Sequence, residues 1–139
     1  MFVVDASVAI RWFTGDPSPQ AEEVLAAMVD APGRFAVPEL FLFECLAVLA
    51  RIMPNGLATF EEGILPVIGG GVLRVPMTAA LARAARPFVV RGLTGYDACY
   101  AALARELDGV WLTLDRKAHG RLGSGGDAFL LDAGERLPL

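Results

Sequence analysis

The chain has 139 residues, a length that fits one domain (1–139) with one sizeable core. Its formal net charge of −4 excludes a general attraction to nucleic acid, so any such binding must rely on a local basic patch. Hydrophobic residues make up 55%, yet the longest apolar stretch, Leu40–Ala50, falls short of the roughly 20 residues that span a bilayer and carries Glu44, which argues against a membrane protein.

Phe2–Val4 reads as a buried strand ending on Asp5, and Ala6–Phe13 as a short helix closed by Gly15-Asp16-Pro17. No basic region precedes Asp5, so this start is not a signal peptide and the expected location is cytoplasmic. Ser18 caps a second helix, with Pro19 at its first position and an apolar face of Val24, Leu25, Met28 and Val29; Pro32-Gly33 ends it. Phe35–Val37 is a second strand, followed by a long helix from Pro38 to about Met53 that stops at Pro54-Asn55-Gly56.

Thr59 and Glu62 have capping-box spacing for the next helix, which Pro66 and Gly69-Gly70-Gly71 disrupt. The triple glycine lacks the lysine of a phosphate loop and reads as a connection. Val72–Val75 is the third strand, and Thr78 opens an alanine-rich helix in which Pro87 predicts a kink or an end. Helix Gly95–Leu107, strand Val110–Leu114, helix Arg116–Leu122, a Gly-Ser-Gly-Gly loop and strand Phe129–Leu131 complete the chain. Strands alternating with helices predict an α/β fold, a central parallel sheet of about five short strands with helices on both faces, but leave the strand order open. Cys45 and Cys99 lie in apolar helical stretches and read as core residues of a reducing compartment, and the single His119 stands in a polar segment with no metal-ligand spacing.

Four acids stand out. Asp5 and Asp115 each end a strand and precede a helix, the place where open α/β sheets do chemistry, although capping of the following helix accounts for either one locally. Glu44 has Leu40, Phe41, Ala47 and Val48 as its helical neighbours, so its carboxylate faces apolar surroundings and needs an arginine, a raised pKa or a cation. Asp97 lies three residues after Thr94, which suits a capping box as well as a functional role. Two carboxylates about 4 Å apart repel by roughly 4 kcal/mol at an effective dielectric of ~20, and a divalent cation relieves this. Oxygen ligands select Mg²⁺ or Mn²⁺, and such ions support phosphodiester hydrolysis.

Taken together, Val3-Val-Asp5-Ala-Ser7, Pro38-Glu-Leu-Phe-Leu-Phe-Glu44, Tyr96-Asp97-Ala-Cys-Tyr-Ala-Ala-Leu-Ala104 and Leu112-Thr113-Leu-Asp115-Arg-Lys117 resemble a PIN-domain ribonuclease, and the short form is similar to VapC toxins of bacterial toxin–antitoxin pairs. The resemblance implies a three-layer α/β/α fold and cleavage of RNA with Mg²⁺ or Mn²⁺. On this reading Asp5, Glu44, Asp97 and Asp115 are the catalytic and metal-binding acids, with Asp5 and Asp97 as principal ligands, supported by Ser7 and Thr113. Many relatives carry an Asn where this chain has Ala47, a departure that bears on fine geometry and not on the acids. Arg11, Arg116, Lys117 and Arg121 follow the strand-end acids and are candidates for holding substrate phosphates, or form an ordinary solvated face.

The resemblance also implies a homodimer and a cognate antitoxin whose C-terminal segment lies in a groove. Helices near Ser18–Asp30 and Glu39–Met53, with Phe41, Leu42, Phe43, Leu46 and Leu49 around the second, are expected to contribute to it. Two other classes stay open: a non-catalytic module of the same fold whose acids merely cap helices, and an Asp-dependent phosphoryl-transfer domain. Against the latter, Ala6 and Ser7 follow Asp5 where dehalogenase-type phosphatases usually place a second Asp two positions on.

Overall fold

A computed structural model describes residues 1–123 and 127–139. The last three residues of the expected Gly-Ser-Gly-Gly loop, 124–126, lie outside the described residues. Strands β1 (Phe2–Val4), β2 (Phe35–Pro38), β3 (Leu73–Val75), β4 (Val110–Thr113) and β5 (Ala128–Leu130) form one sheet in the order β3-β2-β1-β4-β5. Every neighbouring pair is parallel. Parallel neighbours need a crossover, and strands covered on both faces read as continuous apolar runs, which is why Phe-Val-Val and Phe-Ala-Val are buried throughout.

The strand order carries the functional consequence. From β1 the chain steps outward to β2 and β3, then returns past β1 to β4 and β5, so its direction reverses between β1 and β4. Right-handed crossovers place the helices before and after this reversal on opposite faces, giving three layers. Accordingly α1 (Ala6–Ile10) packs with α3 (Leu40–Ile52), while α6 (Ala79–Val90) packs with α7 (Gly95–Glu106), and α7 lies against β1, β2 and β4. The core between the layers holds Trp111, Tyr100, Phe35, Phe41, Phe88, Met28 and Leu49, all essentially without solvent contact. Cys45 and Cys99 are buried and unbonded, as read from the sequence.

Several helix starts follow their side chains. Ser18 accepts from the Ala21 amide at the head of α2 (Pro19–Asp30), Thr78 from Leu81 at the head of α6, and Thr94 from Asp97 at the head of α7. Three expectations need correction. Helix α1 ends at Ile10 instead of Phe13, and single turns continue to Phe13 while the Trp12 indole donates to the Ala21 carbonyl at 2.9 Å, docking the segment onto α2.

Thr59 does not cap a helix. It is already helical, because α4 (Gly56–Thr59) begins earlier and continues through a π-helical turn, Phe60–Ile64, into α5 (Leu65–Gly69). Gly56 makes that start possible, since a Cβ there would overlap the Leu49 carbonyl of α3. The wider π turn directly precedes Pro66 and makes room for its ring, so the helical path is not broken there. Pro87 does not end α6 either. It sits in the last turn, where its missing N–H costs one helical hydrogen bond before the helix closes at Val90.

Candidate active site at the carboxyl edge of the sheet

The reversal between β1 and β4 opens a crevice beyond their carboxyl ends, and Asp5 and Asp115 stand at its two sides. Helices that connect parallel strands run antiparallel to them, so α3 and α7 point their N-terminal turns at the same edge. Glu44 lies in the second turn of α3 and Asp97 in the first turn of α7. Topology alone therefore gathers acids from four separate elements.

Asp5 is buried at 6% exposure and caps α1 through Oδ1, which accepts the Ser7 amide at 2.9 Å. The capping role is thus real, but it uses one oxygen. Oδ2 accepts the Thr113 hydroxyl at 2.8 Å and the Trp111 indole at 3.2 Å. Burial pushes its pKa up, the Ser7 amide and Thr113 hydroxyl oppose this, and the negative charge of Asp97 pushes it up further.

Thr113 also accepts the Asp115 amide at 3.0 Å, and the Ser7 hydroxyl accepts the Leu114 amide at 3.0 Å. Ser7 and Thr113, the two polar residues expected to support the acids, thereby tie the ends of β1 and β4 together. Asp115 is exposed and caps α8 (Arg116–Leu122), its Oδ1 accepting the amides of Lys117 at 2.9 Å and Ala118 at 3.0 Å.

Glu44 is half-buried, and its partner is not an arginine. The Tyr100 hydroxyl of α7 donates to Oε1 at 2.9 Å. Burial raises the pKa of Glu44 from 4.5 to about 7; the Tyr100 hydrogen bond opposes the rise, and Asp5 and Asp97 add to it. Asp97 is half-buried as well. It does not complete a capping box: the Thr94 hydroxyl accepts the Asp97 amide, but among the described residues the Asp97 carboxylate accepts no bond from the Thr94 backbone amide. Burial raises its pKa first; the Thr94 hydroxyl lowers it, Asp115 raises it and Arg121 lowers it. Asp5 and Glu44 both sense the charge of Asp97, and Asp97 senses that of Asp115.

Of the basic candidates, Arg121 lies near enough to act on Asp97, and Arg116 and Lys117 are exposed on the first turn of α8. Arg11 is turned to Asp16, with its guanidinium 2.5 Å from that carboxylate. The other ion pair among the described residues, Arg74 with Glu39, includes none of the four acids, so none of them has a salt-bridge partner there. Also among the described residues, no three His, Cys, Asp or Glu side chains are gathered tightly enough to ligate one ion directly.

Two contributors were missed in the sequence, Tyr100 and Trp111. Both carried a signal: Tyr100 lies one helical turn after Asp97, and Trp111 lies two residues before Thr113, hence on the same strand face. A cavity of about 490 Å³ opens beside Glu44, lined by Leu40, Phe43, Leu46 and Ala47 of α3 and by Tyr96 of α7, with nothing from α2. Phe43 and Tyr96 are 68% and 64% exposed at its rim, whereas Phe41, Leu42 and Leu49 turn into the core.

Comparison with known proteins gives this edge a context. A toxin–antitoxin complex from Klebsiella pneumoniae superimposes with a TM-score of 0.69 at 15% identity over 93% of this chain and 96% of that one. VapC20 of Mycobacterium tuberculosis, a toxin that cleaves the sarcin–ricin loop, gives 0.64 at 20% identity over 86% and 94%. PAE2754 from Pyrobaculum aerophilum gives 0.62 at 25% identity over 91% and 89%. A sequence search of curated proteins finds no significant match. The family model of the PIN domain matches residues 2–122, nearly the whole chain and all four acids, and the protein belongs to the PIN domain family.

Proposed function

We propose that this protein is a metal-dependent endoribonuclease, the toxin of a toxin–antitoxin pair, acting through Asp5, Glu44, Asp97 and Asp115. The observation that carries the reading is electrostatic. Three buried or half-buried carboxylates sense one another at the sheet edge, and among the described residues none of them forms a salt bridge, Arg121 acting on Asp97 only from beyond that distance. Such a cluster is unfavourable by itself and fits a bound cation.

The donor set is all oxygen, which suits Mg²⁺ or Mn²⁺. Because no three acids form a closed cage as placed, direct contact would come from Asp5 and Asp97, with Glu44 and Asp115 reaching the ion through the waters that Mg²⁺ retains. When bound, the ion supplies a nucleophilic water at neutral pH and charge neutralisation on the phosphodiester.

The chain's own residues do the rest. Thr113 and Ser7 fix the strand ends and keep Asp5 in one orientation. Asp115 caps α8 through Oδ1 alone, so its second oxygen is not used by the cap. Arg116, Lys117 and Arg121 offer positive charge beside it for the RNA backbone, a role less suited to Arg11 because Asp16 already occupies it. Asp5 receives three hydrogen bonds, which supports a ligand role over that of a phosphoryl-accepting nucleophile. The cavity beside Glu44, rimmed by Phe43 and Tyr96, suits the apolar side chains of an antitoxin segment that would cover the acids, and exposed apolar side chains elsewhere, such as Val89 and Val90, suit a homodimer.

The test is RNA cleavage with Mg²⁺ or Mn²⁺, with and without EDTA, by the native chain, Asp5→Asn and Asp97→Asn. Cleavage should require the metal and fall by at least about 10²-fold in both variants. Equal cleavage in all three, or cleavage that survives EDTA, rejects the assignment.

A further inference from the structure

Two donors on one buried aromatic pair reach two different acids of the edge. The Tyr100 and Trp111 rings stack with centroids 6.0 Å apart and 5° between their planes. Both are essentially without solvent contact. Trp111 donates its indole N–H to Asp5 at 3.2 Å, and Tyr100 donates its hydroxyl to Glu44 at 2.9 Å. In a close-packed interior such rings have one rotamer and cannot swing independently, so both donors are fixed relative to each other.

We propose that Trp111 and Tyr100 form a single brace that sets the separation and orientation of Asp5 and Glu44. Both are positioning residues, and the proposal rests on the metal-dependent reading above. Repulsion explains why a brace is needed. Glu44 senses Asp5 and Asp97 and also lines a cavity of about 490 Å³, so an unbraced side chain has space to retreat from the other acids. Tyr100 holds it back.

Trp111 acts on Asp5 differently. An indole nitrogen only donates, and a carboxylate has about four acceptor directions. The Ser7 amide, the Thr113 hydroxyl and Trp111 take three of them, narrowing the directions in which Asp5 can meet a cation. Asp5 is thereby more restricted than Glu44, which accepts Tyr100 on Oε1 and keeps Oε2.

Tyr100→Phe and Trp111→Phe remove each donor while keeping an aromatic ring in the stack. For the full chain, each single variant and the double variant, Mn²⁺ affinity is measured by electron paramagnetic resonance of the free ion, alongside the melting temperature in EDTA. Each single change should weaken Mn²⁺ binding by about tenfold or more. The double variant should lose less than the product of the two, because the donors act as one unit. Unchanged Mn²⁺ affinity in folded variants, whatever their melting temperature, overturns the brace, and losses that multiply overturn its joint character. If Trp111→Phe does not fold, Tyr100→Phe decides by the same affinity criterion. A native chain that binds no Mn²⁺ defeats the metal-dependent reading itself, an outcome distinct from variants that bind as tightly as the native chain.

Discussion

Replacing Glu44 by Gln should stabilise the metal-free protein, and by an amount that depends on pH. The amide keeps the shape of the side chain and an oxygen to accept the Tyr100 hydroxyl, but removes the charge that faces Asp5, Asp97 and a low-dielectric wall. The folded pKa of about 7 lies above the ordinary 4.5, so the folded state binds the proton more tightly than the unfolded chain. Its contribution is fully present below about pH 4.5 and is lost as pH rises through about 7. At about 1.4 kcal/mol per pH unit this interval corresponds to ~3 kcal/mol for a side chain shielded from water; partial solvent contact reduces it to ~1–2 kcal/mol. Thermal denaturation in EDTA at pH 5 and pH 8 reads the difference. Glu44→Gln should melt about 3–8 °C above the native chain at pH 8 and close to it at pH 5. The same gain at both pH values, or none at pH 8, refutes the electrostatic reasoning.

Other consequences are as direct. Thr113→Val removes a donor to Asp5 and the acceptor of the Asp115 amide, and should cost about 1–3 kcal/mol, read as a lower melting temperature in EDTA; no change would mean that the hydroxyl does not support the acid. Gly56→Ala forces a methyl group onto the Leu49 carbonyl and should destabilise by about 1–3 kcal/mol, whereas Gly69→Ala, with open space around its Cβ position, should be neutral or slightly stabilising in the same assay. Arg116→Ala combined with Lys117→Ala should weaken RNA binding and reduce the dependence of log affinity on log salt by roughly 1–2, measured by fluorescence anisotropy across salt concentrations. An unchanged salt slope would remove these two residues from the RNA path.

The sequence disclosed the elements far better than their arrangement. All five strands were visible as short apolar runs, and Ser18, Thr78 and Thr94 announced their helices through local capping. The helical path from Gly56 to Gly69 was misread because its start depends on Gly56 meeting the Leu49 carbonyl, a contact that no local pattern encodes. Strand order, and with it the reversal between β1 and β4, depends on tertiary packing and was not readable.

The site divides in the same way. Asp5 and Asp115 could be found as two repeats of strand, acid and helix, and Glu44 as a charge among apolar neighbours. The partner of Glu44 could not, because Tyr100 is 56 residues away and reaches it only after α3 and α7 meet at the edge. Nor could the side of α3 that borders the cavity. Which of its apolar residues face the core is decided by the layers packed against it, and these bury Phe41 and Leu49 while leaving Phe43 outside.

The central claim is that the protein carries a cluster of acids unfavourable to its own fold because a cation and RNA meet there. Asp97→Asn tests it most directly, since the charge of this carboxylate acts on both Asp5 and Glu44. One preparation, assayed for RNA cleavage in Mg²⁺ and for melting temperature in EDTA, should show cleavage abolished and stability equal to or above that of the native chain. Cleavage at the native rate, or a marked loss of stability without metal, would contradict the account.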